Sequence, residues 1–233
     1  MSSDADRGAG GHAALRNLID ALPEERAGHV FTHTSWAASR ADSYERLEFL
    51  GDSVLGLAIA RELYERFPDY PEGQLAKIRA HVVSRQSCAV VGRRLGLGAA
   101  LVERGEDAIP ADELERLAVN RNVLAALVEA ALGALYLEHG FEPIRQAVLD
   151  AFGEQIDYAL TSYVDYKTEL QEELARRGLS VSYAVLDVEG PPHDRRFTCA
   201  AVIDGEQAGM GDGPSKKAAE QNAAREALET IRA

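Results

Sequence analysis

Three carboxylates lie on one side of a run that otherwise belongs in a protein core. The stretch ERLEFLGDS, Glu45 to Ser53, sits inside an apolar segment from Tyr44 to about Phe67. Glu45, Glu48 and Asp52 are spaced i, i+3 and i+7. At about 3.6 residues per turn they share one stripe of a helix. Leu47, Phe49, Leu50, Val54, Leu55 and Ile59 cover most of the rest. Like charges at helical neighbours repel, and carboxylates among apolar groups lose hydration. Compensation must come from basic side chains, from water, or from a hard divalent cation such as Mg²⁺, which favours oxygen ligands. A solvated acidic helix edge would have the same spacing, but the apolar flanks weigh against it. Gly51 costs about 1 kcal/mol relative to Ala in a helix interior. Its presence argues for close approach of another backbone beside the acids.

Two further acids draw notice. Glu129 lies in LAALVEAALGALYL with almost no other charge for two turns. It is either a partnered structural charge or part of the same chemistry. Glu72 opens a helix after Pro71 in YPEGQLAKIRA, where an acid also favours the helix dipole.

The elements that must position these acids are helices. From about His12 to about Ala159, apolar residues recur at three- and four-residue spacing. Gly and Pro punctuate the runs at Pro68, Pro71, Gly73, Gly96, Gly98 and Gly140. This half reads as all-α. The pattern changes after about Thr161. DYKTELQEELARRG reads as a short helix ended by Gly178, and VSYAVLDVEG and RFTCAAVID as strands separated by the turn segment GPPHDR. EQAGMGDG supplies a third strand and a glycine-rich loop, and SKKAAEQNAAREALETIR a final helix. The expected order is α-β-β-β-α, a small α+β domain. The division falls near Leu160 to Tyr166, giving domains at 12–159 and 164–233.

Composition sets the limits. The chain has 233 residues, 46% hydrophobic and 27% charged, with a formal net charge of −13. Such a balance argues against gross electrostatic binding of nucleic acid, so any such role needs a local basic site. Cys88 and Cys199 are the only cysteines, which gives neither a disulfide framework nor a zinc spacing. A reducing cytoplasm is the expected compartment. The polar opening MSSDADRGAG is expected as a frayed tail without a secretory apolar core, and no membrane span is expected.

Taken together, these segments resemble bacterial ribonuclease III. YERLEFLGDSVL is close to that family's signature, and FTHTSW (Phe31 to Trp36), RFPDYPEGQLAKIRA (Arg66 to Ala80) and VEAALGALYLEHG (Val128 to Gly140) are similar to family segments in family order. YKTELQE, GPPHDRRF and the stretch from Gly211 to Ala224 resemble the double-stranded-RNA-binding domain. The resemblance implies a homodimeric, Mg²⁺-dependent endoribonuclease that cuts double-stranded RNA. It implies 5′-phosphate products, short 3′ overhangs and substrates among structured ribosomal RNA precursors. By matching position, Glu48 and Glu129 would be metal ligands, and Asp52 would hold metal or position the attacking water. Glu45 and Glu72 would line the outer acidic valley, and Phe49 would pack across the dimer interface. Thr168, Gln171, Glu172 and His193 would face the RNA minor groove, while Lys216 and Lys217 would meet phosphate. Lys167, Arg195 and Arg196 could add phosphate contacts.

The chemistry suits the residue types. Carboxylates alone repel a phosphodiester, whereas a bound divalent ion inverts the local charge and lowers the pKa of its water. In the RNA-binding half, residues 164–233 carry nine Lys and Arg against thirteen Asp and Glu. The argument there rests on placement. Ser215-Lys216-Lys217 follows glycines and opens a helix, where backbone N–H groups and the dipole favour phosphate.

One position departs from the family pattern. An acid ordinarily precedes the glutamate of the VEA segment by three residues; here that position is Ala126. Three readings follow: the acid was removed to silence the enzyme, the natural protein is weakened or inactive, or another group compensates. Asn122, within roughly 60° of Ala126 and Glu129 around the helix, is the candidate compensator, holding metal through water. The plainer alternative is a helix cap. A chain disabled at this position would be a double-stranded-RNA-binding protein that does not cut.

Overall fold

The computed structural model describes residues 4–163, 166–191 and 195–232. The chain divides into two compact units, Met1–Asp157 and Tyr158–Ala233. The first begins with α1 (Asp4–Asp20) and α2 (Glu24–Val30), followed by a 3-10 turn at Arg40–Asp42. Then come α3 (Glu45–Arg66), α4 (Glu72–Val82), α5 (Arg85–Arg94), α6 (Leu97–Gly105) and α7 (Ala111–Val119). α8 (Arg121–His139) and α9 (Phe141–Ala151) follow, and α10 (Gly153–Tyr163) runs across the division. The all-α expectation holds for this unit. The polar opening is not a frayed tail beyond Asp4: it continues α1, whose Leu15 and Ile19 are buried. Once those residues anchor a helix, each further turn is cheap to add.

α8 is the axis of this unit. Every residue from Val123 to Leu135 is buried, Glu129 among them. Its start is fixed by Asn120, whose side-chain oxygen accepts the N–H groups of Asn122 at 2.8 Å and Val123 at 3.3 Å. α3 crosses α8 at two glycines. A Cβ on Gly51 would lie 1.6 Å from the Glu129 carbonyl oxygen, and one on Gly133 would lie 2.3 Å from that of Leu47. The helices therefore touch backbone to backbone. The segment before α3 is stapled to its start: Tyr44 N–H donates to the Thr32 carbonyl at 2.9 Å, and the His33 ring meets Trp36 and, edge on, Tyr44. No single described helix is long and apolar enough to cross a membrane; α7 and α8 pass such a test only as a pair bent by 74°.

The second unit contains α11 (Tyr166–Arg176), β1 (Val181–Glu189), β2 (Arg196–Ile203), β3 (Glu206–Gly213) and α12 (Lys216–Arg232). The sheet is antiparallel in the order β1-β2-β3. Asp204 and Gly205, with φ of 52° and 84°, form the two-residue β2–β3 turn, as positive φ at both positions requires. The core joins Leu170 and Leu174 to Ala201, Ala223, Ala224, Ala227 and Leu228. The segment EQAGMGDG holds no loop; all of it is strand. Its glycines lie under α12: a Cβ on Gly209 would fall 2.4 Å from the Ala223 carbonyl oxygen, and one on Gly211 would fall 2.2 Å from the Ala223 nitrogen.

Candidate functional site: an acidic helix pair and a basic helix start

The acidic group is built by the α3–α8 crossing. Glu45, Glu48 and Asp52 lie on the first two turns of α3. Glu129 faces them from α8 and is 5% exposed. Because Gly51 and Gly133 remove the side chains between the two backbones, the carboxylates come within each other's field. Burial, then Glu48 and Asp52, push the Glu129 carboxyl up to about 7, against the opposing pull of Arg85. Burial also raises Glu48; Arg85 opposes this, while Glu45 and Asp52 add to it. The neighbours register the same charge. Burial, Glu48 and Glu45 push the Tyr44 hydroxyl up to about 12. Burial, Glu129 and Asp52 raise the Cys88 thiol, whose sulfur lies 4.0 Å from Glu129 Oε1.

Two arginines answer part of this charge. Arg40 Nη2 donates to Glu45 Oε1 at 2.9 Å. Arg85 Nη2 meets Glu48 Oε1 at 3.4 Å. Among the described residues, Asp52 and Glu129 have no ion-pair partner. No group of three His, Cys, Asp or Glu side chains among them is placed so as to hold a metal ion. Ala126 lies one turn before Glu129 and is 3% exposed. The site thus has a methyl group where the resemblance expects a further carboxylate.

The remaining expected residues divide. Glu72 is exposed in the first turn of α4, and no hydrogen bond or ion pair joins it to the acidic group among the described residues. Asn122 is exposed at the start of α8, but it is not the cap; Asn120, two residues earlier, fills that role because only its side chain reaches back over the first free N–H groups. Phe49, which helical spacing would also allow as a core aromatic, is 79% exposed. It borders a cavity of about 740 Å³ lined in part by Leu47, Leu50 and Leu137. Sequence reasoning missed Arg85. A cation in the first turn of α5 opposes the helix dipole, and that mismatch was the available signal.

In the second unit, Lys216 and Lys217 are the first two residues of α12, both exposed, with Ser215 Oγ accepting the Ala218 N–H. Lys216 Nζ lies 3.8 Å from Glu220; among the described residues Lys217 has no ion-pair partner. The starts of α11 and α12 are clamped together. Lys167 Nζ donates to Glu220 at 2.6 Å and lies over the Tyr183 ring, while its backbone N–H donates to Gln221 Oε1. Lys167 is therefore engaged within the fold. Thr168, Gln171 and Glu172 share the exposed side of α11. Arg195 is exposed and Arg196 lies 3.9 Å from Asp212. His193 lies outside the described residues.

Known proteins share both units. Residues 24–156 match the Ribonuclease-III-like family and residues 166–231 the double-stranded RNA binding motif. Ribonuclease 3 of Mycolicibacterium smegmatis is 44% identical over 229 residues, covering 94% of this chain and 97% of its own. That of Symbiobacterium thermophilum is 46% identical, covering 85% and 84%. A solved nuclease domain of ribonuclease III from Campylobacter jejuni, described as flexible in a region involved in dimer formation, aligns at a TM-score of 0.50 and 31% identity. That alignment covers 60% of this chain and 95% of the Campylobacter domain. With both units matched in the same order, and the relatives matched over most of their length, this chain belongs to the ribonuclease III family.

Proposed function

We propose that this chain is a divalent-metal-dependent endoribonuclease that cleaves double-stranded RNA, with residues 12–159 catalytic and residues 164–233 binding the duplex. One observation carries the reading: Glu129 is a buried carboxylate without an ion-pair partner among the described residues, facing two further carboxylates across a glycine contact. An isolated buried charge is costly, and a cation relieves it. The donor chemistry suits Mg²⁺, hard oxygens beside exposed Asp52 where water can complete the shell, and the carboxylates would have to draw together on the ion. Glu48, Asp52 and Glu129 would hold the ion, with Glu45 and Glu72 further out. When bound, such an ion neutralises charge developing on the phosphate and activates water. Asp52, exposed and without a basic partner among the described residues, is the group available to orient the attacking water.

The RNA is met by the start of α12, where Lys216, Lys217 and free backbone N–H groups favour phosphate. Thr168, Gln171, Glu172 and His193 would read the minor groove by shape and 2′-hydroxyl contacts. Exposed Phe49 beside an apolar concavity supports a homodimer, which would set two sites against two strands. Ribosomal RNA precursors are the proposed substrates, 5′-phosphate ends the products and the cytoplasm the compartment.

Ala126 favours a second reading, a protein that binds duplex RNA without cutting it. The test incubates the purified chain with long duplex RNA, with and without Mg²⁺, beside an Ala126→Asp variant. Mg²⁺-dependent cleavage by the parent, strengthened in the variant, is the expected result. Binding without cleavage by the parent, with cleavage appearing only in the variant, selects the second reading.

A further inference from the structure

We propose that Arg85 is the resident counter-cation of the acidic group and competes with the metal ion for Glu48. This rests on the reading above that Glu48 is a metal ligand.

Four observations carry it. Arg85 is the first residue of α5, where the dipole disfavours a cation, and that first turn contains no acid of its own. Its compensation comes from Glu48, 37 residues away in sequence. α5 is held tightly against α8, since a Cβ on Gly92 would lie 2.7 Å from the Leu124 carbonyl oxygen. The helix that carries Arg85 is therefore packed closely on the helix that carries Glu129. The pair itself is loose: 3.4 Å, with Arg85 59% exposed and Glu48 20% exposed. A carboxylate oxygen held at that length by a solvated guanidinium is available for exchange.

The exchange has a definite sense. With no metal bound, Arg85 offsets one of four carboxylates and Arg40 another. A divalent ion taking Glu48 must displace the guanidinium, which swings out toward solvent on its long stem. With Ala126 removing one acid from the cluster, a single arginine is a larger fraction of the remaining balance. Metal loading is therefore weaker than the carboxylates alone would make it.

The test measures Mn²⁺ binding to the full chain without RNA, by electron paramagnetic resonance of the free ion. Parent, Arg85→Gln, Glu48→Gln and the double variant are compared, each checked by circular dichroism. Arg85→Gln is expected to bind Mn²⁺ roughly three- to fivefold more tightly, the scale of one partly exposed ion pair. Glu48→Gln is expected to bind it more weakly, and adding Arg85→Gln to that variant to change little. Unchanged or weaker binding by Arg85→Gln, with Glu48→Gln still weakened, overturns competition by Arg85 and leaves Glu48 a ligand. Tightening of equal size in both backgrounds also overturns it, because the effect is then a general field. Glu48→Gln binding as the parent does removes Glu48 from the metal site, and the competition with it. No Mn²⁺ binding by any variant at millimolar ion overturns both.

Discussion

Glu129 is the residue on which the site turns, and its environment makes a pH prediction. Its carboxyl titrates at about 7 in the folded chain against an ordinary 4.5. Between those values the folded state binds more protons than the unfolded one. Its contribution to stability is therefore largest at low pH and is lost as pH rises from about 4.5 through 7. Glu129→Gln removes that dependence. Without divalent ions, urea unfolding at pH 8 is expected to find this variant more stable than the parent by about 1–3 kcal/mol, with the gap closing toward pH 5. A gap that does not narrow would mean that Glu129 is not held protonated by the fold. At this scale the sequence was partly legible. Spacing on one helix brought Glu45, Glu48 and Asp52 together, and an isolated acid in an apolar run singled out Glu129. Arg85 was not legible as a partner, because its pairing depends on how α5 lies against α3 and α8. The exposure of Phe49 was equally hidden, since periodicity distinguishes faces of a helix but not which face a protein leaves open.

At the scale of elements, glycines decide where helices lie. Gly51→Ala would drive a methyl group into the Glu129 carbonyl oxygen. The α3–α8 pair must then separate, and a loss of about 3 kcal/mol or more is expected in urea unfolding of the first unit. Gly56→Ala, on the same helix with open space around it, is the control and is expected to stabilise or leave the unit unchanged. The sequence signalled a close approach at Gly51 but not its partner, since nothing local points from residue 51 to 133. In β3 the glycines of EQAGMGDG misled: glycine clusters usually mark loops, whereas here they make room for α12. On α12 itself, Lys217 lacks the partial neutralisation that Glu220 gives Lys216. Lys217→Ala is expected to weaken duplex binding and reduce the log–log salt slope by about one. Lys216→Ala should do less in the same filter-binding titration.

The whole molecule is acidic, with a net charge of −13, yet its residues 166–231 match the double-stranded RNA binding motif. Attraction to RNA must therefore be local, and binding should collapse at lower salt than for a basic protein of equal contact area. Dimerisation is testable at this scale. Phe49→Asp is expected to give a monomer in sedimentation velocity, with cleavage lost and duplex binding by the second unit weakened only modestly. A variant that remains dimeric would move the interface elsewhere. The all-α first half and the α-β-β-β-α order of the second were visible in the change of hydrophobic period along the chain.

The glycine contact between α3 and α8 has one more consequence. Most active-site spacings depend on rotamers, so substitutions in the surrounding core can drift them by tenths of an ångström. Here the separation of Glu129 from the α3 acids is set by main chain resting on main chain. Core residues around it can change, and alter stability, without retuning the chemistry. The acidic group is in effect insulated from mutational drift. A change at one position of the group, such as residue 126, would leave the backbones that carry Glu45, Glu48, Asp52 and Glu129 in register.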